Sequence, residues 1–334
     1  MAPAQRRRPG WKGLAAIGAK LALSALLVAF LLARIPLQGV AESLRAARPP
    51  WIAAAFGLLL FSNLLGSYQW ARLLHTVGIR IPLWKVCVYY HVGLFFNNFL
   101  PANIGGDIAR VADASRYGPT RAAAVSTVLL DRMVGTVALA SLALVTTLPA
   151  IDAFHLRLVY LSLVAFFALS VGLVWAVFHP EMLPLAERVL ARVGLGGLKP
   201  HLDDLAMRLR GFRGQRRLFL ELFAVALLTQ ISRIGVHALV GRALGLHVAL
   251  PYFFLFVPLL AVIVSLPISF NGIGVREGAG VVLFGLVGVS RAQAFSLQLT
   301  VFGVAVAVSL LGGVAFLARI PRRRAGSRPV EEAF

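Results

Sequence analysis

The sequence predicts an all-α, polytopic membrane protein with about six transmembrane helices and two re-entrant helical hairpins in an inverted repeat. Three observations predict this fold class. The chain has 334 residues and is 59% hydrophobic, its mean hydropathy is +0.83, and apolar segments recur along its whole length. Open strands would leave their backbone groups without partners in lipid, so each apolar segment is expected to be a helix.

The first half of the chain contains three segments of membrane-spanning length and one short segment. Residues 13–33, 51–74 and 122–150 can each cross a bilayer, because about 20 apolar residues span its hydrocarbon core. Residues 84–100 are short for a span. Basic residues precede the first segment, which is longer than the apolar core of a signal peptide, so we expect it to be retained as a helix.

The second half repeats this arrangement. Residues 156–178, 218–239 and 292–317 have the length of a span, whereas residues 252–266 and 275–289 form a short pair. In both halves a short segment ends at a Leu-Pro pair that is followed by glycine-rich sequence. We predict that each half contains a re-entrant hairpin, which enters and leaves the membrane at the same face.

A shared motif marks the predicted tips of both hairpins. It has a Leu-Pro pair, a glycine and an arginine at identical spacing: Leu100, Pro101, Gly106 and Arg110 in the first half, and Leu266, Pro267, Gly272 and Arg276 in the second. Proline stops a helix, whereas glycine permits positive φ and close approach of the backbone. We therefore predict helix breaks within the membrane, with the first outgoing helix starting near Gly106 or Asp107.

A second match, between residues 120–126 and residues 290–296, supports an internal repeat. In both segments Arg, Ala, Ala and Ser follow a hydroxyl residue at the same spacing. Under the predicted topology the two halves cross the membrane in opposite senses, so the repeat is inverted. Inverted repeats with broken helices near the midplane are typical of transporters.

The distribution of positive charge predicts the orientation. The formal net charge is +20, and re-entrant hairpins place nearly every strongly basic segment on one side, which the positive-inside rule makes cytoplasmic. If the short segments crossed instead, residues 110–121 would face outward. We therefore expect a multi-pass protein of the bacterial cytoplasmic membrane with both termini in the cytoplasm. Basic residues at helix ends, rather than on one soluble face, argue against nucleic acid as a partner.

The predicted organisation consists of two membrane repeats. The first repeat covers residues 1–150, and the second, inverted repeat covers residues 155–319. The second repeat includes a basic cytoplasmic linker at residues 179–217, in which apolar residues recur at helical spacing. An amphipathic helix on the membrane surface and a solvated basic loop are both consistent with this pattern. The basic tail, residues 320–334, is expected to be disordered.

The glycine-rich tips are the candidate binding site. A helix N-terminus binds anions through its free N–H groups, and a guanidinium suits bidentate binding of phosphate. We therefore predict that an anionic group binds at nine residues of the two tips: Asn98, Asn103, Gly105, Gly106, Arg110, Asn271, Gly272, Gly274 and Arg276.

Four further charged residues are candidates for proton coupling or ion pairing: Asp107, Asp131, Arg132 and Glu277. Asp131 and Arg132 lie within an apolar span, where each charge costs about 2.5–3.5 kcal/mol. The equivalent positions in the second half, 301 and 302, are occupied by Val and Phe. Asp131 can pair with a motif arginine, take up protons, or form a local pair with Arg132 at a hydrated kink. The alternative to anion binding is a network in which both motif arginines merely neutralise the acids.

Metal and cofactor sites are not expected. Cys87 is the only cysteine, and the seven histidines show no metal-ligand spacing. The sequence contains no Walker loop, no nucleophile elbow and no complete dinucleotide fingerprint. We therefore expect that the protein is not an enzyme.

The motifs together resemble a known family. They read Asn98-x-x-Pro101-x-x-x-Gly105-Gly106-Asp107-x-x-Arg110, then Leu130-Asp131-Arg132-x-x-Gly135, and then Pro267-x-x-x-Asn271-Gly272-Ile273-Gly274-Val275-Arg276-Glu277. This pattern resembles the transmembrane flippase-like domain of lysylphosphatidylglycerol synthases and its stand-alone relatives, from about the first helix to the last. The second tip, at residues 269–271, is less glycine-rich than the family pattern.

The resemblance implies lipid translocation. In bifunctional relatives a cytosolic aminoacyl-transferase domain makes the lipid that the membrane domain moves outward; we expect no such domain here and do not infer the synthase activity. The implied cargo is the anionic or zwitterionic headgroup of a phospholipid, aminoacyl-phospholipid, hopanoid or polyprenyl-linked lipid.

Other functions and partners are also considered. The alternatives to a lipid translocase are a secondary transporter of a small hydrophilic anion and a non-catalytic partner of an envelope-lipid biosynthesis complex. Expected partners are membrane lipids and a lipid-synthesising enzyme encoded nearby. Gly274 and Gly278 have the spacing that allows close helix contact, so an oligomer is compatible with the sequence.

Overall fold

The computed structural model describes most of the chain, in five stretches: residues 37–99, 105–154, 156–178, 214–265 and 272–319. All regular secondary structure in these stretches is helical. Three predictions lie outside the described residues: the first span at 13–33, the interfacial helix within the linker 179–217, and the disorder of the tail 320–334.

The first half contains five described helices: α1 (Leu37–Arg45), α2 (Pro49–Thr76), α3 (Leu83–Phe99), α4 (Gly105–Ala114) and α5 (Arg121–Thr147), the last extended by a 3₁₀ turn at Leu148–Ala150. Helices α2 to α5 lie where the apolar segments and the first motif predict them. Helix α1 lies between two predicted spans and was not among the predicted elements.

The second half contains five more described helices: α6 (Arg157–Phe178), α7 (Arg216–Ala243), α8 (Leu250–Ser265), α9 (Val275–Gly285) and α10 (Arg291–Arg319). Within the described residues, α2, α5 with its 3₁₀ turn, α6, α7 and α10 are long and apolar enough to cross a membrane. They correspond to five of the six predicted spans. Helices α3 with α4, and α8 with α9, are shorter and occupy the positions of the two predicted hairpins; we call these helix pairs the first and the second hairpin.

Contacts between the helices occur in matched pairs. Helix α2 packs along α7, α3 packs on α10, and α8 packs on α5. Within the hairpins, α4 packs against α3 and α5, while α9 packs against α8 and α10. Helices α2, α3, α4 and α5 correspond in order to α7, α8, α9 and α10. If every helix is replaced by its counterpart in the other half, each of these contacts becomes another contact that the structure contains. This is the contact pattern that two related halves would have.

Helices α2 and α7 run antiparallel and define two faces of the molecule. Near one end, the guanidinium of Arg72 donates two hydrogen bonds of 2.8 Å to the carboxylate of Glu221. Near the other end, the backbone N–H of Arg48 donates to the carbonyl oxygen of Ala243 at 2.9 Å. We call the Arg72 end the basic face and the Arg48 end the opposite face.

The first hairpin opens at the basic face. Arg319, at the end of α10, forms an ion pair of 3.2 Å with Asp113 near the end of α4 and lies over the ring of Tyr89 in α3. The Tyr89 hydroxyl is 3.0 Å from the hydroxyl of Tyr117, in the loop after α4. The outer ends of α3 and α4 therefore lie together at the basic face.

The second hairpin opens at the opposite face. The rings of Phe253 in α8 and Phe284 in α9 pack with centroids 5.5 Å apart. Tyr252 packs against Phe154, which follows the 3₁₀ turn after α5. The outer ends of the two hairpins thus lie at opposite faces of the molecule.

The matched segments around residues 120 and 290 have a common structural reason. Thr120 caps the N-terminus of α5, where its hydroxyl oxygen accepts the backbone N–H of Ala123 at 3.2 Å. Ser290 does the same for α10, accepting the N–H of Gln293 at 3.3 Å. A hydroxyl residue at this position satisfies one of the free amides of the first helical turn.

Candidate functional site

Arg110 of the first hairpin and Arg276 of the second line a cavity of about 520 Å³ in the interior, which we call the central cavity. Helices α2, α3, α5, α7 and α8 supply most of its wall, and each hairpin contributes the arginine of the repeated motif. Its charged and amide side chains are Gln69, Asn97, Arg110, Asp131, Arg132, Gln230, Arg233 and Arg276. A smaller cavity of about 340 Å³ adjoins it and shares Asn97, Arg132, Arg233 and His237.

Arg110 lies in a closed ion-pair network at the first tip. Its guanidinium donates to the carboxylate of Asp131 at 2.7 Å and lies 3.8 Å from Asp107. The rings of Trp70 and Tyr90 flank it, with centroids 4.4 and 4.8 Å from the guanidinium carbon. The Arg110 side chain is only 6% exposed, so little of it can reach a ligand.

The carboxylate of Asp131 is shared between two donors. One oxygen accepts the bond from Arg110, and the other accepts the side-chain amide of Gln69 at 2.8 Å. Of the alternatives for Asp131, the structure contains the pairing with Arg110. A buried carboxylate with two such donors is compensated, and removing either partner would leave a buried charge.

Arg132 points away from its neighbour Asp131. Its guanidinium donates two hydrogen bonds to Asp107, at 3.0 and 3.1 Å, and its side chain is 49% exposed. Consecutive residues on a helix face different directions, which explains why Asp131 and Arg132 bind different partners. The local ion pair between Asp131 and Arg132, which was one of the alternatives, does not form.

Arg276, the motif arginine of the second tip, has fewer partners. It donates to the carboxylate of the adjacent Glu277 at 2.7 and 3.1 Å and lies over the ring of Phe302, 4.3 Å from its centroid. Its side chain is 16% exposed and lines the central cavity. Glu277 also accepts the backbone N–H of Gly274 at 2.6 Å, so this carboxylate caps its own helix.

The glycines of the two tips serve different purposes. Gly272 and Gly274 adopt positive φ, +73° and +84°, which glycine tolerates without strain. Gly105 and Gly106 instead belong to the first turn of α4, which begins close to the predicted start at Gly106 or Asp107. Gly106 is needed for close approach, because a Cβ there would meet Gly93 and Asn97.

The backbone amides of the tips are partly occupied inside the protein. The N–H of Gly106 donates to the side-chain oxygen of Asn97 at 2.9 Å, and that of Gly274 donates to Glu277. Asn98 is half-buried at the end of α3 and lines the smaller cavity. Asn103 and Asn271 lie outside the described residues. The side chains are therefore better placed than these two amides to bind a ligand.

Three polar residues of α7 in the cavity wall were missed by the sequence analysis: Gln230, Arg233 and His237. They recur at intervals of three and four residues, so they share one face of the helix. The overlooked indication was an arginine near the middle of an apolar span, which is the same feature that singled out Asp131 and Arg132. Gln230 donates to the carbonyl oxygen of Gly135 at 3.4 Å.

Arg233 is the uncompensated charge of the site. Within the described part of the chain, no hydrogen bond or ion pair involves its guanidinium. Arg110, Arg132 and Arg276 all have carboxylate partners. The cavity is therefore suited to an anion, which would give Arg233 the partner that the described residues do not supply.

The described residues contain no group of three or more His, Cys, Asp and Glu side chains that could hold a metal ion. The donors that converge here are guanidinium and carboxamide groups. Both bind oxyanions such as phosphate, and guanidinium does so in a bidentate manner.

Comparison with protein families gives one match. The family model described as the lysylphosphatidylglycerol synthase TM region matches residues 17–327. A search of curated proteins found no match.

Proposed function

The chain belongs to the family of the lysylphosphatidylglycerol synthase TM region, and on this premise we propose that it is a lipid translocase of the bacterial cytoplasmic membrane. The proposed cargo is a lipid with an anionic or zwitterionic headgroup, drawn from the phospholipids, aminoacyl-phospholipids, hopanoids and polyprenyl-linked lipids. The headgroup would cross through the central cavity while the acyl chains stay in lipid. This path avoids the large cost of moving a bare charge through hydrocarbon.

The single observation that supports this proposal most is that Arg233, to which the described residues supply no hydrogen-bond or ion-pair partner, lines the central cavity together with Arg276. A charged residue at the centre of a spanning helix costs about 2.5–3.5 kcal/mol on insertion scales. Such residues usually face a polar pathway and bind a counter-ion there. A lipid phosphate would be that counter-ion for Arg233.

The arginines of the site would have different roles. Arg233 and Arg276 would bind the phosphate, and Arg132 would contact it on its way in. Arg110 would hold Asp131 and the first tip in place, because its own guanidinium is already enclosed. Arg110 and Arg276, which the sequence suggests are equivalent, would thus differ in role: Arg110 would stabilise the site, and Arg276 would bind the ligand.

The depths of the exposed arginines suit a stepwise passage. Arg132 lies about 16 Å along α5 from its first residue at the basic face, given a rise of about 1.5 Å per residue. Arg233 lies about 15 Å from the other end of α7, at the opposite face. A headgroup passing from Arg132 to Arg233 would therefore move from the inner part of one leaflet to that of the other.

An inverted repeat would let the two halves alternate. The matched contacts and the opposite entry of the hairpins support such a repeat. Rocking of one half against the other could expose the cavity to each face in turn, as in other transporters built from inverted repeats. Asp107, Asp131 and Glu277 are the candidates for coupling protons to this movement. Asp107 is the most exposed of the three.

The basic face would lie in the cytoplasm. Among the described residues, eight basic side chains cluster at its helix ends: Arg72, Arg80, Lys85, Arg116, Arg121, Arg216, Arg217 and Arg319. Five lie at the opposite face: Arg45, Arg48, Arg157, Arg242 and Arg291. The positive-inside rule favours this orientation. It would place both termini in the cytoplasm, where a lipid-synthesising enzyme could supply the cargo to a non-catalytic translocase.

The proposal is tested in proteoliposomes that contain fluorescent phosphatidylglycerol or phosphatidylcholine. The rate at which label crosses the bilayer is measured by quenching from outside. Arg233→Gln should slow this rate by about 10- to 100-fold, because a hydrogen bond to a charged group contributes about 1.5–3 kcal/mol. Arg242→Gln, on the same helix but over the ring of Trp51 outside the cavity, is the matched control and should leave the rate unchanged.

Two outcomes would contradict the proposal. If Arg233→Gln moves both lipids as fast as the unaltered protein, the central cavity is not the path. If the unaltered protein moves neither lipid but accumulates radiolabelled inorganic phosphate in sealed vesicles, it transports a small anion instead.

A further inference from the structure

A second concave surface lies between α4 and α5 on the outside of the first hairpin. It has a volume of about 680 Å³, and we call it the lateral groove. Residues on its α4 side include Ile108 and Val111, and those on its α5 side include Val125 and Leu129. The proposed lipid transport gives no role to this groove so far.

The walls of the lateral groove are apolar and open to the surroundings. Ile108 is 63% exposed, and Val125 and Leu129 are also exposed. Because α4 and α5 lie within the membrane-embedded body, these side chains face hydrocarbon rather than water. From Arg121 at the basic face to Arg132 at its inner end, the groove extends about 16 Å, which is about half of a hydrocarbon core roughly 30 Å thick.

Positive side chains lie at both ends of the groove. Arg116 and Arg121 line its rim at the basic face, where the headgroups of that leaflet would lie. Arg132 and Asp107 line its inner end. Arg132 also lines the central cavity and the smaller cavity, so the lateral groove and the interior meet at this side chain.

We propose that the lateral groove is the entry path for an anionic phospholipid from the leaflet at the basic face. In this proposal, which rests on the proposed function, the ion pair between Arg132 and Asp107 closes the inner end of the groove. The acyl chains lie along the apolar walls while the phosphate moves from the rim arginines to Arg132. Apolar walls between cationic ends match such a lipid in both shape and charge.

The contacts of Asp107 make this opening feasible. The phosphate replaces Asp107 as the partner of Arg132, since both offer oxygens for bidentate binding. The displaced carboxylate keeps a second cation, because Arg110 lies 3.8 Å away. No carboxylate is left unpaired by the exchange, which keeps its electrostatic cost low. The released headgroup then faces the central cavity.

The first test fills the groove. In proteoliposomes with fluorescent phosphatidylglycerol, the double variant Ile108→Trp, Val125→Trp should slow translocation by at least about tenfold, which is about 1.4 kcal/mol. Both side chains are exposed, so the larger rings need not disturb the core. Leu169→Trp on α6, at a position 72% exposed, is the control and should translocate normally. Normal translocation by the double variant would overturn the entry path.

The second test detects the lipid directly and does not depend on transport. Vesicles of phosphatidylcholine contain some phosphatidylglycerol with a diazirine on its acyl chain, and the cross-linked peptides are identified by mass spectrometry. Cross-links should concentrate on residues 105–132, relative to α6, and fall several-fold in Arg132→Gln. Cross-links spread evenly over all lipid-facing helices would overturn the proposal. If they concentrate as expected while no lipid is translocated, the groove stands and the proposed function fails.

Discussion

The two motif arginines occupy equivalent positions in the sequence but different surroundings in the structure. Arg110 contacts two carboxylates and two aromatic rings, and only 6% of its side chain is exposed. Arg276 contacts one carboxylate, that of the adjacent Glu277, and one ring, that of Phe302. Both arginines line the central cavity, but the one in the first half is enclosed by partners, whereas the one in the second half is more exposed, at 16%.

The cause of this difference lies on the helix that follows each hairpin. Helix α5 offers Asp131 to the first tip, whereas α10 has Val301 and Phe302 at the equivalent positions. Arg276 therefore depends on a carboxylate from its own helix, and its ring contact is weaker than an ion pair. Sequence symmetry between the halves consequently does not imply equal surroundings, and under the proposed function this asymmetry in the partner residue would leave Arg276 more available to the ligand than Arg110.

The difference between Arg110 and Arg276 is tested most directly by removing Asp131, the carboxylate that pairs with Arg110. Asp131→Leu should destabilise the protein by about 3–5 kcal/mol, because it leaves a buried guanidinium with only the more distant Asp107. Thermal unfolding in detergent gives the measurement. The double variant Arg110→Met, Asp131→Leu should recover most of the loss, since an apolar pair replaces the ion pair. Equal loss in both variants would show that the network does not act through its charges.

Removing the other motif arginine should affect transport more than stability. Arg276→Gln is expected to slow lipid translocation by about 10- to 100-fold, through loss of a charged hydrogen bond of about 1.5–3 kcal/mol. Arg276→Lys should retain part of the activity, because it keeps the charge but not the fork geometry. A variant whose unfolding temperature falls as far as that of Asp131→Leu would contradict the proposed division of roles.

The difference between the two halves can also be reduced by giving Arg276 a carboxylate partner from α10. Val301→Asp places a carboxylate in α10 at the position equivalent to Asp131, where it should pair with Arg276. We expect phosphatidylglycerol binding to weaken by about tenfold, or about 1.4 kcal/mol, as Arg276 acquires a competing partner. Val301→Asn is the uncharged control and should bind lipid more tightly than Val301→Asp. Equal affinities for the two variants would show that Arg276 does not bind the phosphate.

The smallest expected effects are equal in the two halves. Thr120→Ala and Ser290→Ala each remove the N-cap of a spanning helix, and each should cost about 1 kcal/mol. The caps are at opposite faces and share no partner, so the losses should add in the double variant. Thermal unfolding checks both points, and a large interaction between the two substitutions would indicate that the capped ends are coupled.

Several features of the site followed from the sequence because they depend on local chemistry. The described parts of α3 and α8 end at residues 99 and 265, close to Pro101 and Pro267, as expected because a proline removes a helical hydrogen bond and commonly kinks or stops a helix. Pro258 lies inside α8 without ending it, so a proline alone does not determine where a helix stops. The start of α4 close to Gly106 was likewise expected. The need for glycine at position 106 comes from a neighbouring helix, because Gly93 and Asn97 of α3 lie against it, and the sequence does not show that contact.

The sequence by itself determined where the described membrane-spanning helices lie, because lipid requires long apolar segments whose backbone groups bond within the helix; the short helix α1 was not among the predicted elements. It also determined that charges within those segments need partners. Only the tertiary structure decided which partners they have. Asp131 bonds to Arg110 from another helix, and Arg233 joins the cavity without any carboxylate from the described residues. Ion pairs act over a few ångströms, and only the packing of distant segments brings those atoms that close.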